Sequence, residues 1–362
     1  MSSIFGDFIK ISIFGESHGN ASGITLDGLP AGESINFGEV TANMQRRAPG
    51  NDKTATSRKE YDSFEVLSGI LNDKTTGTPL CAIIKNNNIK SSDYSDLINK
   101  PRPGHADFTG NIKYKGFQDV RGGGHFSGRL TAPLTFGGSV CRQILKRRNI
   151  DICAHIYSIE NIYDDTFCDV NVSKDIINKI SHSRFPLINQ DMEPKMRNKI
   201  ENVKLEYDSL GGIIECAITG ISAGIGSPMF YGIENVISSI IFGIPAVKGI
   251  EFGLGFESTK IKGSQNNDSF YFEGEKVKTK TNNCGGILGG ISTGMPIIFR
   301  VAVKPTPSIS KKQNTVDLDI KQNTQINVKG RHDPCIVPRA VPVVESAAAL
   351  AIINLMSEAG KL

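Results

Sequence analysis

A polar, glycine-rich stretch at residues 102–132 constrains the fold of this 362-residue chain more than any other segment. It holds three arginines, two histidines, two aspartates and a run of three glycines at 122–124. Glycines reach positive φ readily, so successive backbone N–H groups can face one concavity. The apolar spacing after Ser127 predicts a helix that ends on the basic residues 146–148. The stretch predicts an anion-binding loop that leads into a helix N-terminus; the alternative is a turn before a core helix with solvated arginines.

Charge and cysteine content exclude several classes of protein. The net charge of +4 is too small to indicate nucleic-acid or membrane binding by the whole chain, so any basic function has to be local. Seven cysteines occur without a Cys-x-x-Cys pair, which argues against a disulfide framework or a metal site and for a reducing compartment. No basic leader and no apolar run of about 18 residues stand out, so we expect a cytoplasmic protein.

The motif Gly-Glu-Ser-His-Gly at 15–19 matches the Gly-x-Ser-x-Gly pattern of a hydrolase nucleophile elbow. An elbow needs a helix directly after its serine, whereas residues 20–28 have the pattern of a strand and a turn. A serine hydrolase that uses Ser17 therefore ranks low. His18 is the better candidate for acid or base chemistry, because the ordinary pKa of histidine, about 6.5, lies near working pH. The alternative is a turn histidine bonded to the backbone.

The order of the predicted elements favours an α+β fold over a doubly wound sheet. Helices are predicted at 38–47, 191–207 with Asp191 as N-cap, 234–241 and 342–356, and strands at 9–14, 65–71, 80–85, 150–159, 212–218, 246–252 and 297–303. No strand–helix–strand rhythm recurs, so mixed α+β with antiparallel sheets fits best. The polar segments 51–60 and 309–329 predict mobile loops, and 263–283 predicts an exposed hairpin or loop.

Further clusters carry candidate ligand contacts. Arg46 and Arg47 end a predicted helix, where they either suit the helix dipole or clamp an anion. Glycines recur at 285–294, which is typical of a flat ligand or a close backbone crossing, and the loop 304–308 offers a lysine and hydroxyls to a phosphate. Asp333 is a candidate base if it lies in a pocket, although an Asp-Pro pair alone is typical of a turn.

Six motifs in this order strongly resemble the chorismate synthase family. They are Gly-Glu-Ser-His-Gly (15–19), Arg-Pro-Gly-His-Ala-Asp (102–107), Asp-x-Arg-Gly-Gly-Gly (119–124), Gly-Gly-Ile-Leu-Gly-Gly-Ile-Ser (285–292), Lys-Pro-Thr-x-Ser (304–308) and Gly-Arg-His-Asp-Pro-Cys (330–335). The resemblance extends from residue 6 to the C-terminal helix. It implies one domain over 1–362, folded as a β-α-β sandwich of two antiparallel sheets with helices, and assembly as a homotetramer.

The resemblance also implies an activity. Family members are lyases that eliminate phosphate from 5-enolpyruvylshikimate 3-phosphate in a 1,4-anti sense, giving chorismate at the last step of the shikimate pathway of aromatic amino acid biosynthesis. The reaction needs reduced FMN (FMNH2) without net redox change, and some members use NADPH as the reductant. By similarity, His18 protonates the departing phosphate, His105 holds the flavin in its reactive protonation state, and Asp333 helps to remove the C6 proton through flavin N5.

Binding residues follow from the same resemblance. It implies that the substrate is bound by Arg46, Arg47, Arg102, Arg129 and Arg339, and NADPH by Arg47. It implies FMN contacts from His125, Phe126, Ser127, Pro245, Ala246, Gly289, Lys304, Pro305, Thr306, Pro307, Ser308 and Arg331.

Two departures from the family pattern bear on these contacts. His125 and Phe126 stand where the family commonly has Arg-Ser, so a charge and a hydroxyl are lost, and Ala48 and Lys53 replace the usual Pro and Arg after the arginine pair. The competing hypothesis is a flavin-binding or polyanion-binding protein without elimination activity. It predicts FMN binding that substitutions of His18 or Asp333 leave unaffected.

Overall fold

The computed structural model describes residues 3–50, 54, 62–86, 98–328 and 332–362. The helices are α1 (Phe37–Arg47), α2 (Asp107–Lys113), α3 (Thr131–Lys146), α4 (Lys174–Ser181), α5 (Glu193–Leu205), α6 (Ile233–Ile241), α7 (Gly263–Asn266) and α8 (Val337–Glu358). The first nine strands are β1 (Ile4–Phe5), β2 (Lys10–Gly15), β3 (Ala21–Asp27), β4 (Phe64–Ser68), β5 (Ile70–Leu71), β6 (Lys74–Thr75), β7 (Leu80–Lys85), β8 (Asp151–Ile159) and β9 (Ile162–Tyr163). The others are β10 (Gly212–Thr219), β11 (Val247–Phe252), β12 (Phe270–Glu273), β13 (Lys276–Thr279), β14 (Ile287–Leu288), β15 (Ile291–Ser292), β16 (Ile297–Val303), β17 (Lys312–Asp317) and β18 (Gln322–Asn327).

Two five-stranded sheets form the frame, and all their neighbouring strands are antiparallel. The first has the order β1-β2-β3-β7-β4, and the second has the order β11-β16-β10-β8-β9. The inner strands β7, β10 and β16 are rich in isoleucine, leucine or valine, which suits strands buried by neighbouring layers. The prediction of antiparallel sheets in an α+β fold is confirmed.

Helices fill the space between the sheets. Helix α3 packs on β3 and β7 of the first sheet, α8 packs on β8 and β10 of the second, and the two helices pack on each other. Their crossing is close because Gly138 lies directly against the backbone of Ser346, where any larger side chain would collide. The alanines at 347–349 are fully buried at the same crossing. The result is the predicted β-α-β sandwich, with the main hydrophobic core between its layers.

Helix α8 contains an apolar stretch of a length that the sequence analysis did not expect anywhere in the chain. Within the described residues it is long and apolar enough to cross a membrane, a feature that we did not expect. Since 94% of its apolar window is buried inside the protein, it serves as the central core helix.

Local details of the sequence prediction need correction. The helix predicted from Asp191 begins at Glu193, and Asn189 instead caps the short 3-10 turn before it by accepting the Asp191 N–H at 3.1 Å. Residues 312–327, predicted as part of a loop, form the β17–β18 hairpin. The exposed hairpin predicted in 263–283 is present as β12 and β13. The loop predicted at 51–60 lies outside the described residues apart from Thr54.

Candidate active site

A cavity of about 940 Å³ opens between the glycine-rich stretch, the end of α1, the start of β11 and the first turns of α8. Part of its wall is apolar, with side chains such as Ile11, Ile13, Leu134, Ile244 and Val343. The polar part of the wall includes six cationic side chains among the described residues, and they are Arg47, Arg102, Arg129, Lys248, Lys304 and Arg339. Pockets of this size that combine apolar walls with a few convergent polar groups are typical of small-molecule sites.

The triple glycine borders this cavity through Gly122. Gly122, Gly123 and Gly124 have φ values of 59°, 89° and 53°, the left-handed backbone that the sequence predicts. The His18 ring lies against Gly122 so closely that a Cβ atom there would overlap it, and a Cβ on Gly123 would lie 3.0 Å from the ring of His105. The glycine loop thus brings together two histidines that are far apart in sequence.

The segment around Ser17 does not form a nucleophile elbow. After β2 the chain makes a turn and enters β3 at Ala21, so no helix follows the serine. The Ser17 hydroxyl lies 3.2 Å from Nδ1 of His18, and its backbone N–H donates to the carbonyl of Gly124. These contacts fix His18 beside the glycine loop, where the residue is only 3% exposed.

Asp107 organises the next part of the site. Its Oδ1 lies 2.7 Å from Nδ1 of His105, and its Oδ2 accepts from Nε of Arg102 at 2.7 Å. Although burial opposes it, these partners hold the pKa of Asp107 well below its usual range. An ionised carboxylate only accepts, so Nδ1 of His105 carries a proton and the 3.2 Å approach of the Arg102 guanidinium to that nitrogen is not a hydrogen bond.

A second carboxylate, Asp62, lies between Arg47 and Arg129. Its Oδ2 accepts from Nε of Arg47 at 2.7 Å and also from Nη2, while its Oδ1 accepts from Nη1 of Arg129. Arg129 also donates through Nε to Asn86 at 2.9 Å, and Arg47 donates to the hydroxyl of Thr131 at 3.2 Å. Burial would raise the pKa of Asp62, but the two guanidinium charges lower it.

The first turn of α8 and the segment before it complete the basic part of the cavity. Arg339 donates through Nε to the carbonyl of Arg47 at 2.9 Å and through Nη1 to Asp333. On another wall, Lys304 bonds to the carbonyl of Gly104, and burial together with the nearby Lys248 lowers the pKa of Lys304.

Several predicted flavin contacts also line the cavity, namely His125, Phe126, Ser127, Pro245, Ala246, Lys304, Thr306, Pro307 and Ser308. The ring of His125 is held within the protein: Nδ1 lies 2.8 Å from the carbonyl of Gly15, and Nε2 lies 2.7 Å from the hydroxyl of Ser3. Because a carbonyl only accepts, Nδ1 carries a proton and donates it to Gly15.

Other predicted residues lie elsewhere. Arg46 turns away from the cavity and pairs with buried Glu345 at 2.6 Å. Gly289 lies in the turn between β14 and β15, and neither it nor Pro305 lines the cavity. Arg331 is outside the described residues.

Sequence reasoning missed the carboxylates that hold the site together. No sequence pattern marks Asp62, because it follows a polar stretch without a motif. Asp107 belongs to the Arg-Pro-Gly-His-Ala-Asp motif at 102–107, two residues after a histidine, so the sequence could have indicated it as a partner of that histidine. Lys248 was also missed, since a single lysine at the start of a strand reads as a solvent-exposed side chain.

Fold and site together define a class of protein: an α+β protein with a cationic cavity of small-molecule size, next to histidines and an aspartate of the kind that perform acid–base chemistry. A family model described as chorismate synthase matches residues 9–357. The chain is 44% identical over 362 residues to the chorismate synthase of Dehalococcoides mccartyi, covering 100% of this chain and 98% of that relative.

More distant relatives agree. The chorismate synthase of Methanosarcina mazei is 42% identical over 357 residues, which is 99% of this chain and 96% of the relative. A solved structure described as the crystal structure of chorismate synthase matches with a TM-score of 0.76 at 27% identity, covering 98% of this chain and 93% of that chain. The chain belongs to the chorismate synthase family, a family of lyases.

Proposed function

We propose that this chain converts 5-enolpyruvylshikimate 3-phosphate to chorismate and phosphate by 1,4-anti elimination, with reduced FMN as cofactor. The observation that carries the proposal is the position of two histidines at the glycine loop: His105 lines the cavity, and His18 lies behind Gly122, which borders the same cavity. Arginines and Asp333 line the rest of the polar wall. A substrate with one phosphate and two carboxylates needs several cations, and guanidinium groups bind both kinds of anion bidentately.

The donor set of the cavity fits FMN as well as the substrate. A flat ring system can lie on the apolar wall, and the loop 304–308 brings a lysine and two hydroxyls to one side for a phosphate. The backbone of residues 125–127 borders the same space, while the His125 ring is already engaged by Ser3 and Gly15. When bound, the reduced flavin supplies electron density to the allylic system as the C–O bond breaks.

The protein's own residues bind, orient and move protons. Arg47, Arg129 and Arg339 hold the anionic groups of the substrate on one side of the cavity. His18 donates a proton to the phosphate oxygen as the C–O bond breaks, and Asp333 takes up the proton that leaves C6. Asp107 keeps a proton on Nδ1 of His105, which fixes the orientation of that ring.

An anaerobic assay tests the proposal. The purified chain is given 5-enolpyruvylshikimate 3-phosphate and chemically reduced FMN, and chorismate absorbance and phosphate release are followed together. We expect both products in equal amounts. FMN binding without product would contradict the proposal and favour the flavin-binding alternative. A parallel reaction with oxidised FMN and NADPH shows whether the chain reduces its own flavin. For that reduction we propose Arg47 as an NADPH contact.

We also propose a homotetramer in the cytoplasm. Large apolar side chains are exposed on the single chain, among them Phe117 (92%), Phe230 (84%) and Phe256 (77%), which supports burial in an assembly. All seven cysteines are free thiols, as a reducing compartment favours. Light scattering coupled to gel filtration tests the assembly, and a monomeric mass at assay concentration would refute it.

A further inference from the structure

We propose that Asp62 is a positioning residue for the elimination, because its carboxylate sets the places of two substrate-binding guanidinium groups. This inference rests on the proposed function. Asp62 lies just behind Arg47 and Arg129, which line the cavity, and its own side chain is only 1% exposed. It is therefore placed to act through the two arginines.

Each oxygen of Asp62 serves a different arginine. Arg47 reaches Oδ2 from the C-terminal end of α1, and Arg129 reaches Oδ1 from the segment between the glycine loop and α3. These two elements approach the cavity from different parts of the chain. A single carboxylate thus fixes the separation and direction of two cations before a ligand is bound.

The bridge depends on both the charge and the shape of the carboxylate. Two neighbouring guanidinium groups repel each other in a buried site, and one negative charge between them offsets that repulsion. An asparagine at this position offers one acceptor and one donor, so it can hold one arginine while its NH2 group faces the other. We therefore expect Asp62→Asn to misplace one of the two guanidinium groups.

The chain contains natural controls for this arrangement. Glu345 bridges Arg46 and Arg142, and Glu33 bridges Arg147 and Arg148; these four arginines do not line the cavity. Glu33 is a suitable match because its side chain is 13% exposed, so Glu33→Gln disturbs a two-arginine bridge outside the core. If the carboxylate between two arginines contributed only to stability at both places, the Asp62 and Glu33 variants would have the same KM and kcat.

The experiment compares the wild-type chain, Asp62→Asn, Asp62→Glu and Glu33→Gln in the anaerobic assay, with thermal unfolding of each. We expect Asp62→Asn to raise KM for 5-enolpyruvylshikimate 3-phosphate about tenfold or more while kcat changes by less than about threefold, because a charge-assisted ground-state contact is lost. Glu33→Gln should keep KM within about twofold of the wild-type value.

Asp62→Glu keeps the test decisive if Asp62→Asn fails to fold. It preserves the charge and both acceptors, so it satisfies a purely structural role, but it moves the carboxylate by about 1.5 Å and shifts both guanidinium groups. A raised KM in this variant supports positioning. A wild-type KM in either folded Asp62 variant overturns the proposal, whereas absence of turnover in the wild-type chain overturns the proposed function itself.

Discussion

Gly122 offers a direct test of how the glycine loop controls His18. The residue has φ of 59°, and a Cβ placed on it would lie 2.8 Å from the hydroxyl of Ser17 and closer still to the His18 ring. Ordinary van der Waals contact begins at 3.4 Å, so the serine has to withdraw by at least 0.6 Å, the difference between the two distances. The His18 ring has to move by about 1 Å, and a misplacement of that size costs about 100-fold in rate.

The substitution Gly122→Ala also strains the backbone, and that cost can be measured separately. A left-handed conformation costs an alanine about 1–2 kcal/mol relative to glycine. Gly274 has φ of 62°, almost the same as Gly122, but a Cβ there meets nothing within 4 Å. Gly274→Ala therefore carries the backbone strain without the collision.

Steady-state kinetics with reduced FMN and urea unfolding should be measured for both variants. We expect similar losses of unfolding free energy from the shared strain, with an extra loss in Gly122→Ala where the collision is not relieved. The value of kcat should fall about 100-fold in Gly122→Ala alone. Turnover within about threefold of wild type in folded Gly122→Ala would refute the idea that this glycine is needed for the placement of His18.

Three further predictions concern single carboxylates and a buried histidine. Asp333→Asn should leave FMN binding, followed by flavin fluorescence, nearly unchanged and lower kcat by about two orders of magnitude or more, so near-normal turnover would exclude a role as base. Asp107→Asn should lower kcat by about two orders of magnitude because the histidine that it orients is released, and unaltered kcat would exclude that role. Burial by itself would lower the pKa of His155, but Asp164 and Glu215, each 3.0 Å from a ring nitrogen, raise it above its ordinary value. The imidazolium then stabilises the fold fully below the ordinary pKa of about 6.5 and progressively less as pH rises through the raised value. The difference in unfolding free energy between wild type and His155→Gln, measured by urea melts, should therefore shrink at alkaline pH, and a difference that stays constant with pH would contradict this.

The fold was predictable where burial and composition agree. The strands Leu80–Lys85 and Ile297–Val303 are apolar because helices or neighbouring strands cover them, and the sequence marks them clearly. The strands Lys312–Asp317 and Gln322–Asn327 consist almost entirely of polar residues, since their hairpin is held by backbone hydrogen bonds and buries little side-chain surface. Composition therefore indicated a loop where the backbone pairs.

The candidate site shows a similar division. The motifs locate the histidines and the glycine loop, but a sequence does not say which of two adjacent arginines faces a ligand. Successive residues in a helix point about 100° apart, so at the end of α1 Arg46 points to Glu345 while Arg47 reaches the cavity. The side of α1 that faces the core is set by α8, and α8 lies some 300 residues later in the chain.

The charge balance of the cavity is suited to the anionic substrate that we propose, although the net charge of the whole chain is modest. Among the described residues, six cations line the cavity, and three carboxylates pair with four of them: Asp62 with Arg47 and Arg129, Asp107 with Arg102, and Asp333 with Arg339. Six cations less three carboxylates leave a local charge of +3 at the cavity. The pairs fix the direction of each guanidinium group before a ligand arrives, and the remaining excess attracts the anion. Full neutralisation would remove that attraction, and six uncompensated cations would repel one another and destabilise the fold.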